Sequence, residues 1–412
     1  RDLIKIPTVT MIFRSASSSI SASTAALLFS RSSLTALTFH LPVLKVATMP
    51  QTAQSSSLFS SNDDAAQSPS SSTLIPRDKL LSNVMHAALR GSETIASLSD
   101  AARNGSIQFK EEGDARSALT AADTAAQRII VSSLLGACPA LNIIGEEDES
   151  VEVDHDSRRD LRDDLVEGYE WTAPPSGACG EEPPMELDVS RVVVYVDPLD
   201  GTREFVEGRL DNVQSLIGVC YDGRPVMGSV GLPFPTNKES ATEVVFGMAG
   251  RGIGKMRINN DEGAAGIDKC PSPDLKWHCD GDEIRVSSGD SSVVVPAVDL
   301  AERIFEAEGG VSRQIAGATG NKLWKVLCGE TTLSLLHDKT SLWDTAAPTA
   351  LLEAVGGRIT DYFGEPLVYD PEGEVRNRLC VVASAPGAGG LHDRMVDAMR
   401  GDEATVKRLK SS

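Results

Sequence analysis

Arg191-Val192-Val193-Val194-Tyr195-Val196-Asp197-Pro198-Leu199-Asp200-Gly201-Thr202 is the stretch whose reading decides the fold. Arg191 to Val196 is a β-branched run and predicts a buried strand. Two carboxylates stand at its exit. Pro198 removes a backbone donor and stiffens the turn between them. Asp197 and Asp200 can then aim at one point in space, and the Leu199 carbonyl can join them. Three hard oxygen ligands from one short loop suit Mg²⁺. Gly201-Thr202 predicts the start of a helix through Glu204 and Phe205, whose free N–H groups and positive dipole end suit a phosphate beside the metal. Taken alone, Asp200-Gly201 reads as a tight turn with Asp as an N-cap. The buried strand in front of it shifts the reading towards a site.

Outward from this loop, apolar spacing predicts helices over Leu80 to Leu98 and Ala121 to Leu135. Leu141-Asn142-Ile143-Ile144 predicts a short buried strand that delivers Gly145-Glu146-Glu147-Asp148. Residues 149–190 are acidic, hold Pro and Gly, and read as a long surface insertion. Strands follow over Leu216 to Tyr221, Val226 to Gly231 and Glu243 to Gly247, with Asp222-Gly223 as a hairpin turn. Residues 258–283 read as polar loop. The remainder mixes strands (Ile284 to Val286, Thr331 to His337, Leu379 to Ala383) with helices (Val298 to Glu306, Gly320 to Leu327, Thr345 to Val355, Gly390 to Met399). An α+β half followed by an α/β half is the expected picture.

Of the 412 residues 41% are hydrophobic and 24% charged, an ordinary balance for a globular chain. The net charge of -20 argues against nucleic acid as a partner, because its backbone phosphates are repelled. An anionic small substrate meets the same field unless bound divalent cations invert it locally. Seven cysteines form no CxxC pair, as expected of free thiols in a reducing compartment. Cys270, His278 and Cys279 match no zinc spacing. Residues 1–75 are rich in Ser, Thr and Ala, and Asp2 is their only acid before Asp63. That is transit-leader chemistry and points to a plastid or mitochondrion. The plainer reading is a disordered leader without an address, and a start at Met49 leaves a cytoplasmic protein. No stretch is a convincing membrane span.

Glu146 after one strand, Asp197 and Asp200 after another, and Asp344 at a helix start in Trp343-Asp344-Thr345-Ala346-Ala347-Pro348 all stand where sites are built on rigid elements. Each motif alone has a plain reading, a solvated loop or an N-cap with Pro in the first turn. Together the carboxylates fit a two-metal hydrolase. Clustered acids in a dry site without cations are costly.

These three signatures, in this order, resemble those of the inositol monophosphatase superfamily, over about residues 80 to 400. Within it the chain is similar to the 3'(2'),5'-bisphosphate nucleotidases. The similarity lies in Gly201-Thr202-Arg203-Glu204-Phe205-Val206-Glu207-Gly208, in the acidic insertion, and in Gly317-Ala318-Thr319-Gly320-Asn321-Lys322. The resemblance implies a layered αβαβα sandwich, residues 76–410, with a first half over 76–256 and a second over 257–410. It implies two or more Mg²⁺ ions on Glu146, Asp197, Asp200, Asp344 and the Leu199 carbonyl. Asp123, in Thr120-Ala121-Ala122-Asp123, would pair with the Thr202 hydroxyl to orient and deprotonate the attacking water. Gly201, Thr202, Ser287, Ser288, Gly320 and Lys322 are the implied substrate contacts. The chain departs from the family pattern twice: no His follows Ile284-Arg285-Val286-Ser287-Ser288, and Thr319 replaces a Gly.

The implied reaction is removal of the 3'-phosphate of adenosine 3',5'-bisphosphate to give AMP, with 3'-phosphoadenylyl sulfate as a related substrate, by direct in-line attack of water and with Li⁺ inhibition. An inositol mono- or polyphosphate 1-phosphatase is the second reading. A non-catalytic metal or phosphate sensor is a third, of another class, and its mark is a missing ligand. No ligand of the matched set is missing here.

Overall fold

The computed structural model describes residues 73–103, 115–147, 155–174, 179–235, 240–259, 267–270, 275–290, 294–337, 339–377, 379–402 and 407. The leader, and Asp148 of the first signature, lie outside them. The described residues all belong to one compact unit.

A seven-stranded sheet is built from β2 (Asn142–Gly145), β4 (Val192–Asp200), β5 (Gln214–Tyr221), β6 (Arg224–Leu232), β7 (Ser240–Met248), β8 (Gly252–Asn259) and β9 (Ile267–Cys270), in that spatial order. Only β2 and β4 run parallel; the other neighbours are antiparallel. A two-stranded ribbon pairs β1 (Leu74–Pro76) with β3 (Glu186–Asp188). The five-stranded sheet has the order β11 (Val311–Ile315), β10 (Ile284–Ser288), β12 (Leu333–Leu336), β14 (Val381–Ser384), β13 (Arg358–Asp361). Its helices are α4 (Val295–Ile304), α5 (Thr319–Leu327), α6 (Leu342–Ala354) and α7 (Gly389–Gly401), and the first half carries α1 (Arg77–Arg103), α2 (Ala115–Ala137) and α3 (Thr202–Val206).

All nine residues of β4 are buried, so both faces of the strand are covered. The period of two divides them. Val192, Val194 and Val196 join Leu81, Met85 and Ile130 of α1 and α2. Val193 and Tyr195 join Leu342 and Ala346 of α6 on the other face. The far side of α5 and α6 packs on the five-stranded sheet through Leu323, Leu352, Val381 and Ala383. The outer face of that sheet meets α4 and α7 through Val286, Leu335, Ala301 and Met395. The layers are therefore αβαβα, as the resemblance implied. Lying between two sheets, α6 has almost no polar face, and its sequence shows little periodicity for that reason.

A row of glycines seats α6. Gly218, Gly228 and Gly247 are cross-strand neighbours on β5, β6 and β7. A Cβ on Gly218 would stand 2.5 Å from Ala346 Cβ, and one on Gly228 would stand 3.1 Å from Ala347 Cα. The trough lets the helix backbone approach the sheet closely.

The structure corrects several expectations. Residues 258–283 hold the end of β8 and all of β9, not loop alone. β9 and β11 were missed because edge strands contribute backbone pairing more than a buried face. β2 is likewise an edge strand and only half-buried. Pro348 falls inside α6 and not in its first turn. The acidic insertion is not merely a surface loop. Arg159 N–H donates to Ser133 Oγ at 2.9 Å, and Arg162 N–H donates to His86 Nδ1 at 2.8 Å. Leu165 and Val166 are buried, and Tyr169 and Trp171 pack edge-on against Phe246. The Asp222-Gly223 hairpin turn is present, with positive φ at both residues. Among the described residues Cys138, Cys220, Cys279 and Cys328 are free thiols. Among the described residues no helix is long and apolar enough to cross a membrane.

Two predictions follow from this packing. Gly218→Val overpacks the trough and costs about 1–3 kcal/mol; because α6 carries Asp344, the variant should also bind divalent cations more weakly, as thermal unfolding with and without Mg²⁺ will reveal. The second concerns His392, fully buried between Thr360 Oγ1 at 2.9 Å and Ser384 Oγ at 3.1 Å. Burial, then the Arg358 charge, lowers its pKa from 6.5 to about 4. The unfolded chain therefore binds the extra proton first, so this contribution is intact above pH 6.5 and lost as pH falls towards 4. The pH dependence of the melting temperature in that window should be shallower for His392→Gln than for the parent chain; equal slopes would refute the assignment.

Candidate metal centre

Strand β4 brings the first two carboxylates together by an irregularity. Asp197 pairs with Leu216 and Asp200 with Gln214, so three steps on β4 meet two on β5. In a regular strand residues i and i+2 share a face; the extra residue lets i and i+3 do so. Pro198, which has no N–H for the ladder, sits within this bulge. Leu199 N–H donates to Asp197 Oδ1 at 3.0 Å, and its side chain is locked among Ile95, Ala122, Ala126 and Val213. Leu199 also lines the cleft. Gly201 follows at φ 97°, and its absent Cβ would stand 3.2 Å from Asn212 O.

The other carboxylates come from neighbouring elements. The parallel register Gly145↔Val196 and the bond from Glu146 N–H to Val196 O (3.1 Å) set Glu146 beside Asp197, and their carboxyls are hydrogen-bonded. Asp344 is the third residue of α6 in a capping box with Ser341, whose N–H donates to Asp344 Oδ2 at 2.8 Å. Carboxylate oxygens of Asp197, Asp200 and Asp344 all lie within 4.8 Å of one another. The cluster floors a cleft of about 610 Å³ that Glu146, Gly201, Thr202 and Lys322 also line.

The electrostatics make the cluster a candidate cation site. Burial, then Glu146, Asp200 and Asp344, pushes the Asp197 carboxyl well above the usual range. Burial, then Asp200, pushes Asp344 up to about 7. Glu146 is raised by desolvation, against its hydrogen bond with Asp197. Asp200 is raised by burial, against Lys322 and the N–H groups of α5. Like charges this close must share protons or hold a cation. An all-oxygen donor set fits a hard divalent ion.

Other expected contacts are placed differently. Ser287 and Ser288 are fully buried within β10, with Ser287 Oγ donating to Leu333 O (3.4 Å) and Ser288 Oγ accepting from Arg313 Nε (3.0 Å). Neither lines the cleft; Gly289 and Asp290 do. β10 runs two residues past the expected Ile284 to Val286 and takes both serines into the sheet. Gly320 N–H is taken by Asp200 Oδ2 at 2.7 Å, and Thr319 N–H by Asp200 Oδ1 at 3.1 Å. Asp200 thus caps a helix of the other half. Lys322 lines the cleft, but its ammonium donates to Ala318 O (2.5 Å) and Ala316 O (3.4 Å), bracing a loop in which Ala318 holds φ 60°. Asp123 is buried, with Oδ1 unpartnered, and is pushed up to about 8 by burial, then Glu146 and Glu147. No hydrogen bond joins it to Thr202, although α2 and α3 pack together.

Sequence reasoning missed the supports. Buried Glu204 accepts a two-pronged bond from Arg209 (2.6 and 2.7 Å) and one from Asn212 (2.8 Å). It fills the space a Gly317 side chain would need. Asn377 Nδ2 donates to Thr340 Oγ1 (3.1 Å) and Ser341 O (3.2 Å), tying down the start of α6. Tyr369 OH bridges Thr345 and Thr349 at 3.1 Å each. Gln127 accepts from Glu147 N–H at 3.2 Å and holds the first signature. Glu204 lies within the Gly201–Gly208 stretch, but nothing local marks it as a buried support; the others carry no motif, and each is set by a partner distant in sequence or on another element.

A family model described as the inositol monophosphatase family matches residues 77–398. The human protein named 3'(2'),5'-bisphosphate nucleotidase 1 is 32% identical over 282 residues, covering 68% of this chain and 83% of that protein. A putative inositol monophosphatase 3 of Drosophila melanogaster is 25% identical over 325 residues, 78% of this chain and 80% of its own length. Among solved structures, inositol monophosphatase-II of Staphylococcus aureus superposes with a TM-score of 0.51 at 17% identity, over 78% of this chain and 94% of that one, a likeness of fold. Because the family model spans both halves of the sandwich and every carboxylate of the cluster, the chain belongs to the inositol monophosphatase family and is a metal-dependent phosphomonoesterase.

Proposed function

We propose that this chain hydrolyses the 3'-phosphate of adenosine 3',5'-bisphosphate to AMP and phosphate, with Mg²⁺ as its cation and 3'-phosphoadenylyl sulfate as a related substrate. The observation that carries the reading is the 32% identity, over 68% of this chain, to a protein named for bisphosphate nucleotidase activity. Asp197, Asp200, Asp344, Glu146 and the Leu199 carbonyl hold two or more ions. Bound there, Mg²⁺ supplies charge stabilisation at the phosphoryl group and acidifies water. Thr202, exposed at the cleft, orients the attacking water and passes its proton towards Asp123. Asp123 has a free acceptor oxygen. Its raised pKa comes in part from Glu146 and Glu147. Neutralising Glu146 restores its capacity to act as a base near neutral pH. Gly201 and Thr202 receive phosphate oxygens at the cleft wall. Residues 76–410 are read as the phosphatase domain, and the acid-poor leader supports delivery to a plastid or mitochondrion.

Hydrolysis of an inositol phosphate is the second reading, favoured by the relative named putative inositol monophosphatase 3. The metal chemistry is common to both. The ratio of kcat/KM for adenosine 3',5'-bisphosphate over inositol 1-phosphate, measured in Mg²⁺, decides between them. The nucleotide is expected to win, and a preference for the inositol ester overturns the proposal.

Asp197→Asn tests the metal centre with opposite signs in two states. In chelator the variant should melt a few degrees higher than the parent, since a buried acid among acids has gone. In Mg²⁺ it should lose the cation-induced rise in melting temperature, and turnover should drop roughly 10²–10³-fold. Near-parental turnover would remove Asp197 from the site.

A further inference from the structure

Gln214 opens β5 directly opposite Asp200. Its side chain is 1% exposed, yet neither Oε1 nor Nε2 has a hydrogen-bond partner. A buried amide with two donors and an acceptor idle is a group that native structures avoid unless it has a task. Its surroundings indicate the task. A Cβ built on Gly320 would stand 2.6 Å from Gln214 Oε1 and 2.7 Å from Asp200 Oδ2. The amide oxygen and the carboxylate oxygen therefore flank the same backbone position in the first turn of α5. Asp200 has both oxygens committed to that turn, to Thr319 N–H and Gly320 N–H. A cation shared with Asp197 and Asp344 draws on those same oxygens.

We propose that Gln214 is a positioning residue for Asp200, exchanging with it at the N-terminus of α5 when a hard divalent cation binds. Gln214 Oε1 then accepts the Gly320 N–H, and Nε2 donates to the carboxylate oxygen that has turned from the helix. Asp200 moves towards the ion without leaving a buried N–H unpaired. Gln214 touches neither ion nor substrate; it acts through the orientation of Asp200. The inference rests on the proposed role of Asp200 as a cation ligand.

The test uses the full chain with Gln214→Leu and Gln214→Met, so that one variant carries it if the other does not fold. Mg²⁺ is titrated while melting temperature and phosphatase turnover are followed. Without metal, the variants should melt at or above the parent, because two unpartnered polar groups have been removed. The Mg²⁺ concentration for half-saturation should rise about 10-fold. Turnover should fall at low Mg²⁺ and recover as Mg²⁺ is raised, with KM for the phosphate ester little changed. Unchanged half-saturation in both variants, whatever their melting temperature, makes Gln214 a packing residue and overturns the inference. A parent chain with no Mg²⁺-induced shift instead overturns the cation-ligand reading itself.

Discussion

Asp197, Asp200 and Asp344 hold carboxylate oxygens within 4.8 Å of one another inside the molecule, and Glu146 stands beside Asp197. Two like charges 4 Å apart repel by about 4 kcal/mol at the effective dielectric of such sites. The scaffold must withstand that repulsion until cations arrive, and it does so with rigid elements and not with loops. Asp197 and Asp200 belong to a strand buried on both faces. Asp344 belongs to a helix held between two sheets. Leu199 is locked by an apolar cluster, and Asp344 is fixed by its own capping box.

The same cluster joins the two halves. Asp200 leaves the first sheet and caps α5 of the second half. Gly201 approaches Ala318, and Glu204 occupies the space Gly317 leaves. The glycine row on β5, β6 and β7 brings α6, and Asp344 with it, close to the first sheet. Cation binding and the docking of the halves are thus built from shared atoms, so a change to one reaches the other.

The net charge of -20 raises the question of how an anion enters. The cations at the cleft are largely occupied. Arg209 is engaged by Glu204 and Glu207, Arg203 by Glu207 and Asp290, Lys325 by Glu330, and Lys322 by loop carbonyls. Attraction for a phosphate ester would therefore fall mainly to bound metal ions, which invert the local potential. The Arg203–Asp290 pair crosses the cleft but is well exposed, so it adds little to stability.

By itself the sequence determined the elements with strong local signals. The Val192–Val196 run, the helices over 80–98 and 121–135, the Asp222-Gly223 turn and the three acidic signatures were legible because their information is contiguous. Edge strands β9 and β11 were not, since pairing on one side leaves little pattern in the side chains. The tertiary structure alone decided how the acids meet: a one-residue bulge turns Asp197 and Asp200 to one face, and a capping box aims Asp344 at them. It also withdrew Ser287 and Ser288 from the cleft and tied Gly320 N–H to Asp200. Its supports Asn377, Tyr369 and Gln214 carry no motif, because each owes its place to a partner distant in sequence or on another element. Contiguous patterns specify which strand or helix forms; convergence of side chains from separate elements on one point is a property of packing.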